Sequence, residues 1–145
     1  EEERIFAYDA LSYTWGSIVN MKHITCNCQR LEVTENLFDA LSVLRHRYID
    51  RYLWVDAICI NQNDAKERAQ QVQKMLMIYQ NATNVIAWLG KAHKNTLDAL
   101  VAASAVAVPR SSGPRYRTVF SGLQNLYTRA WFKRIWVQQE IYAAK

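Results

Sequence analysis

"YLWVDAICINQNDAKERAQQVQKMLMIYQNATNVIAWLG", residues 52–90, is the stretch that decides the fold. Its first segment, 52–60, is a nearly continuous apolar run interrupted by Asp56, as expected of a strand buried on both faces. Its last, "NVIAWLG" (84–90), is a second short apolar run closed by Gly90 and reads as another buried strand. Between them Val72, Met75, Leu76 and Tyr79 recur at helical spacing. Asp64, followed three residues on by Glu67, resembles a capping box with Asp in the Ser/Thr place, so the spacing predicts a helix from about Asp64 to Asn81. Strand, helix, strand is the unit of a parallel sheet covered by helices.

The flanks extend the pattern. "IFAYDALSY" (5–13) reads as a strand running into a loop at Gly16, and "HITCN" and "RLEVT" as a hairpin turning around Cys28 and Gln29. "TENLFDALSVLRHRYID" places Leu37, Leu41, Leu44 and Tyr48 on one helical stripe, with Thr34 or Asn36 as N-cap. Downstream, 95–108 reads as a helix ending at Pro109, and 109–117 as a loop that carries both prolines, Gly113 and three arginines. "YRTVFSGLQNLY" and "RAWFKRIWVQQEIYAAK" read as two further helices.

Composition bounds the reading. A chain of 145 residues, half of them hydrophobic, with four glycines and two prolines, fits one globular domain, and the missing initiator Met suggests a fragment of a longer protein. No apolar run approaches the ~18 residues of a membrane span, and the start shows no secretory signal. The three cysteines, Cys26, Cys28 and Cys59, form neither a disulfide framework nor a zinc spacing, so reduced thiols, a cytoplasmic location and no metal are expected, with Cys59 in the core. Net charge is uneven: residues 1–90 carry nine basic and eleven acidic residues, and residues 91–145 nine basic and two acidic. The second part therefore suits an anionic partner, and the lack of nucleic-acid motifs argues against DNA or RNA.

Several residues can carry chemistry. Asp56 is an acid inside an apolar run, paired for structure or placed at a strand end facing a ligand crevice. Asn61 beside it either binds a ligand or shapes the turn. Ser12 and Trp15 stand at another strand end, where the indole can stack on a flat ligand or simply pack. Near the end, "RIWVQQEIY" (134–142) puts Trp136 and Glu140, i and i+4, on one helical face; Glu140 is the only acid after Asp98. Either the helix points Glu140 at water, or the two residues line a pocket. No serine elbow, P-loop or G-x-G-x-x-G is present, and His23, His46 and His93 have no partner motif.

In order and wording, "YDALSYTWG", "VTENLFDALSVLR", "LWVDAICINQ" with the helix and "WLG" that follow it, and "RAWFKRIWVQQE" resemble the fungal heterokaryon-incompatibility (HET) domain. The resemblance covers Tyr8 to Glu140; it departs at "CNC", where Cys28 takes a turn position expected to hold glycine. It implies a single HET domain serving non-self recognition and programmed cell death, a form of fungal innate immunity. The implied fold is α/β, a TIR-like (Toll/interleukin-1 receptor, flavodoxin-like) three-layer sandwich with a central, mainly parallel sheet and a helical insertion at 95–127. "WVQQE" is similar to the W-x-x-x-E of NAD-cleaving TIR domains, which implies Glu140 as catalytic carboxylate and Trp136 as pocket wall, with NAD as substrate and no resident cofactor. Ser12, Trp15, Asp56 and Asn61 would then line the site, and Arg115 would meet the pyrophosphate. The rival implication is a non-enzymatic adaptor that self-assembles with other HET domains or docks on an upstream receptor.

Overall fold

A computed structural model of the chain describes residues 7–92, 96, 114–135, 137, 140 and 142. Its centre is a three-stranded parallel sheet built from β1 (Asp9–Tyr13), β4 (Leu53–Trp54) and β5 (Asn84–Trp88), in the order β4-β1-β5. β1 pairs with β4 at Asp9↔Leu53 and with β5 along its whole length, from Asp9↔Asn84 to Tyr13↔Trp88. The strand with two neighbours is the most buried one: Ala10, Leu11, Ser12 and Tyr13 are all inaccessible or nearly so.

Side chains alternate across β1, and each face recruits a different helix. Leu11 and Tyr13 join Leu37 and Ala40 of α1 (Glu35–Leu44), with Val33 and Val55, in one core cluster. Ala10 joins Met75 and Tyr79 of α3 (Ala65–Asn81), with Ala82, in another. The sheet therefore lies between α1 and α3. Burial of a Leu or Met side chain contributes about 1.5–3 kcal/mol, so these two clusters fasten α1 and α3 to the sheet.

The two α/β crossovers go to opposite sides of β1. The first runs from β1 through the antiparallel hairpin of β2 (Met21–Cys26) and β3 (Gln29–Thr34) and through α1 to β4. The second returns through α3 to β5, on the far edge. Chain order thus reverses at β1, and in open α/β sheets ligands bind beyond the carboxyl ends of strands at such a reversal. At the opposite end Asp9 ties three segments together, accepting from Arg51 Nε at 2.9 Å and Asn84 Nδ2 at 2.8 Å.

The helix starts follow their caps. Thr34 accepts the N–H of Leu37, and Asp64 accepts those of Lys66 and Glu67. The capping box is only half formed, because Glu67 turns to the N–H of Asn61 instead. α1 stops at Leu44 rather than reaching Tyr48, which is solvent-exposed. His46 Nδ1 accepts the N–H groups of Tyr48 and Ile49, a local turn that competes with the helix.

Other expectations are corrected. Segment 52–60 is not one strand: β4 ends at Trp54 and the chain enters a single helical turn, α2 (Asp56–Cys59). Asp56 favours that turn by accepting the N–H of Ala57 at 2.7 Å. Val55 and Ile60 stay inside, whereas Cys59 is exposed rather than in the core. β5 is a strand as expected, but it pairs only with β1 among the described residues, and Asn84 and Ala87 face solvent. Within α3, Met75 and Tyr79 are buried while Val72 and Leu76 are not. The hairpin turns one residue earlier than read, at Asn27 and Cys28, whose φ values of 50° and 62° both lie in the left-handed region. That is the twist a two-residue hairpin turn demands, here met without glycine.

The C-terminal part differs most. α4 (Pro114–Tyr127) begins inside the expected loop, with Pro114 as its first residue, a position that tolerates the missing N–H. Residues 109–113 lie outside the described part, as does the expected helix 95–108 apart from Thr96, which is helical. The expected helix 129–145 is broken: Ala130–Lys133 form a 3₁₀ turn, Arg134 is extended, and helical conformation resumes at Val137, Glu140 and Tyr142.

Candidate functional site

The break at Arg134 builds the site. The 3₁₀ turn drives Trp131 into the interior, where its Nε1 donates to Ser12 Oγ at 2.8 Å. Ser12, wholly buried on β1, in turn donates its hydroxyl to Glu140 Oε2. Extended Arg134 leads its side chain back onto the same carboxylate, with Nη2 3.1 Å from Oε1 and Nη1 3.3 Å from Oε2. Glu140, 1% exposed, thus sits behind the carboxyl half of the central strand, fixed by a hydroxyl and a bidentate guanidinium. Ser12 is enclosed and engaged as both donor and acceptor, so it holds Glu140 in position.

Beyond the ends of β1 and β4 opens a cleft of about 460 Å³. Trp15 follows β1 and Asp56 follows β4; indole Nε1 donates to Asp56 Oδ2 at 2.9 Å, which sets the ring on the wall. α3 contributes Arg68 and Met75, and Gln62 completes that side. Arg134 also lines the cleft, and Glu140 does not; the guanidinium is the group that the cleft and the carboxylate share.

Two tyrosines border this region. Burial pushes the Tyr13 phenol far above its usual range, and the nearby Asp56 carboxylate adds to the shift. Burial does the same to Tyr79, reinforced by the charges of Glu140 and Asp56 and opposed by Arg134. Both remain protonated at every ordinary pH. Tyr79 donates to Leu11 O at 3.3 Å, while the buried Tyr13 hydroxyl makes no hydrogen bond among the described residues.

The residues singled out in the sequence fall into separate groups. Ser12 and Glu140 meet directly, although 128 positions apart. Trp15 and Asp56 meet at the cleft. Asn61 shapes the turn before α3, its Oδ1 accepting the N–H of Asn63 at 3.1 Å, and it does not line the cleft. Arg115 lies within α4, its side chain outside the described part, and Trp136 lies outside the described residues altogether. Sequence reasoning missed Arg134, Arg68 and Trp131 as site residues, and took Asn36 only as a candidate N-cap of α1. Asn36 donates to Thr14 O at 2.6 Å and accepts from Trp88 Nε1 at 2.9 Å, locking the loop after β1 to the end of β5. Each of these four carried a signal as a member of a block that resembles the family: Trp131 and Arg134 in "RAWFKRIWVQQE", Arg68 in the helix that follows "LWVDAICINQ", and Asn36 in "VTENLFDALSVLR". Among the described residues no group of three or more His, Cys, Asp or Glu could hold a metal, and no helix is long and apolar enough to cross a membrane.

Comparison with known proteins gives two findings. The sequence model of a family described as "Heterokaryon incompatibility protein (HET)" matches residues 8–140. "Heterokaryon incompatibility protein 6, OR allele" of Neurospora crassa is 38% identical over 99 residues, 59% of this chain and 15% of that protein's length. No solved structure matches the chain.

Proposed function

Because the chain belongs to the heterokaryon incompatibility (HET) family, we propose that it is a death-inducing signalling domain of fungal non-self recognition that cleaves NAD, with Glu140 as the catalytic carboxylate. The observation that carries this reading is the placement of Glu140. A buried carboxylate, held by Ser12 of the central strand and by Arg134, is linked through that guanidinium to a cleft at the carboxyl ends of parallel strands. A parallel sheet with α1 and α3 on opposite faces is also the layout that the TIR resemblance implies, which supports a TIR-like fold.

The chemistry needs few groups. The bond from ribose C1′ to nicotinamide breaks, its electron pair leaves with neutral nicotinamide, and positive charge builds on the sugar. Water then bonds to C1′ and gives up a proton, leaving ADP-ribose. A preorganised carboxylate stabilises the charge that develops on the ribose. Trp15, 41% exposed on the cleft wall, offers a face for a flat ring, and Asp56 offers an acceptor for a ribose hydroxyl.

The test is nicotinamide release from NAD by the purified protein over a range of protein concentrations. Glu140→Gln should lower the rate by about 10²-fold or more. A folded, assembled wild type that leaves NAD intact overturns the enzymatic reading.

A second reading, a non-enzymatic adaptor that assembles with other HET domains or an upstream receptor, draws on Ile18 and Val19. These aliphatic residues stand in solvent just before β2. It requires a cell-death phenotype insensitive to Glu140→Gln.

A further inference from the structure

We infer that Arg68 and Arg134 bind the phosphates of a nucleotide in the cleft, and that this ligand competes with Glu140 for Arg134. The inference rests on reading the cleft as the substrate site, but not on cleavage taking place there. A volume of about 460 Å³ falls in the range of small-ligand sites. Three kinds of group meet on its wall. Trp15 presents a ring; Asp56, whose oxygens already accept from Trp15 and from the N–H of Ala57, keeps lone pairs for a sugar hydroxyl; Arg68 and Arg134 bring two cations. Ring, hydroxyl acceptor and paired guanidiniums together select a nucleotide over a plain sugar or an apolar molecule.

The coupling follows from Arg134. Its fork is bidentate on Glu140, yet its side chain is 20% exposed and lines the cleft. Pairing with Glu140 uses only part of the donor fork, so a phosphate can engage the same guanidinium from the open side. Glu140 then acts on the ligand in two ways: it neutralises the cation and repels the anion. As the phosphate takes up more of Arg134, the carboxylate is left with Ser12 and less of its counter-ion, which is the state in which it can answer a positive charge on the ribose. Arg68 lacks this entanglement. It is exposed, and the one hydrogen bond of its side chain among the described residues is to Gln62 O at 3.1 Å.

Titration calorimetry of the purified chain with ADP-ribose and with inorganic pyrophosphate tests the inference. Arg68→Gln should weaken both probes about tenfold and flatten the dependence of affinity on salt. Arg134→Gln should weaken them at least as much, and Arg68→Gln decides the point if Arg134→Gln does not fold. Glu140→Gln should tighten both by about tenfold, because the competing charge is gone while the shape is kept. An affinity unchanged or weakened in Glu140→Gln, or failure of both probes to bind, overturns the inference. Probe binding with this pattern in a protein that leaves NAD intact upholds the ligand site and removes the enzymatic reading. Cleavage of NAD with probe affinity indifferent to Glu140→Gln does the reverse.

Discussion

Removing either half of the Arg134–Glu140 pair should cost the fold very different amounts. The side chain of Glu140 is 1% exposed and that of Arg134 20%. Arg134→Met leaves a carboxylate enclosed with Ser12 as its remaining donor among the described residues, an uncompensated buried charge that costs about 3–5 kcal/mol. Glu140→Gln keeps the shape and one acceptor for the guanidinium, and the cation can turn toward the cleft and hydrate. Its cost is about 1–2 kcal/mol. In the double variant no charge is left stranded, so its cost should fall short of the sum by about 1.5–3 kcal/mol. Against the ~5–15 kcal/mol typical of a domain, each variant should still fold at room temperature. Urea unfolding followed by circular dichroism and by tryptophan fluorescence reads these differences, with similar slopes required across the set. Equal costs for the two single variants, or additivity within about 0.5 kcal/mol, would refute the assignment of Glu140 as a buried anion whose charge Arg134 meets.

Two other outcomes are expected. Cys28→Gly should stabilise the protein by about 1 kcal/mol, since a φ of 62° strains any residue with a Cβ; a thermal melting point that falls would contradict the hairpin geometry. Asp9→Asn should matter only above the carboxylate range. Burial opposes ionisation of Asp9, but the hydrogen bonds from Asn84 and Arg51 and the charge of Arg51 together hold its carboxyl below the usual value. A depressed folded pKa gives stability that is present above about pH 4 and is lost as pH falls through the folded value. Because Arg51 is half exposed, the loss in Asp9→Asn should stay below about 1 kcal/mol near pH 7 and vanish near pH 2, as urea midpoints at the two pH values would show.

What the sequence by itself determined was local. α3, its Asp64 cap, the Thr34 cap of α1 and the β2–β3 hairpin all rest on interactions within a few residues, where 3.6-residue and two-residue periodicities are printed in the order of side chains. The same periodicity misled wherever a short-range competitor was stronger: His46 folds back on the chain after α1, and Asp56 starts a helical turn inside an apolar run. Tertiary structure alone decided which strand is central. Apolar content does not distinguish an edge from a centre, and β1 is innermost because the crossovers set β4 and β5 on either side of it. Glu140 was visible as a lone acid in a basic region, but nothing nearby in the chain reveals that it is buried. Its environment comes from Ser12 on the central strand and from Arg134, which precedes the helical residues and shares no helical face with it. A carboxylate's surroundings depend on which distant groups the fold brings to it, and no local pattern of residues carries that information.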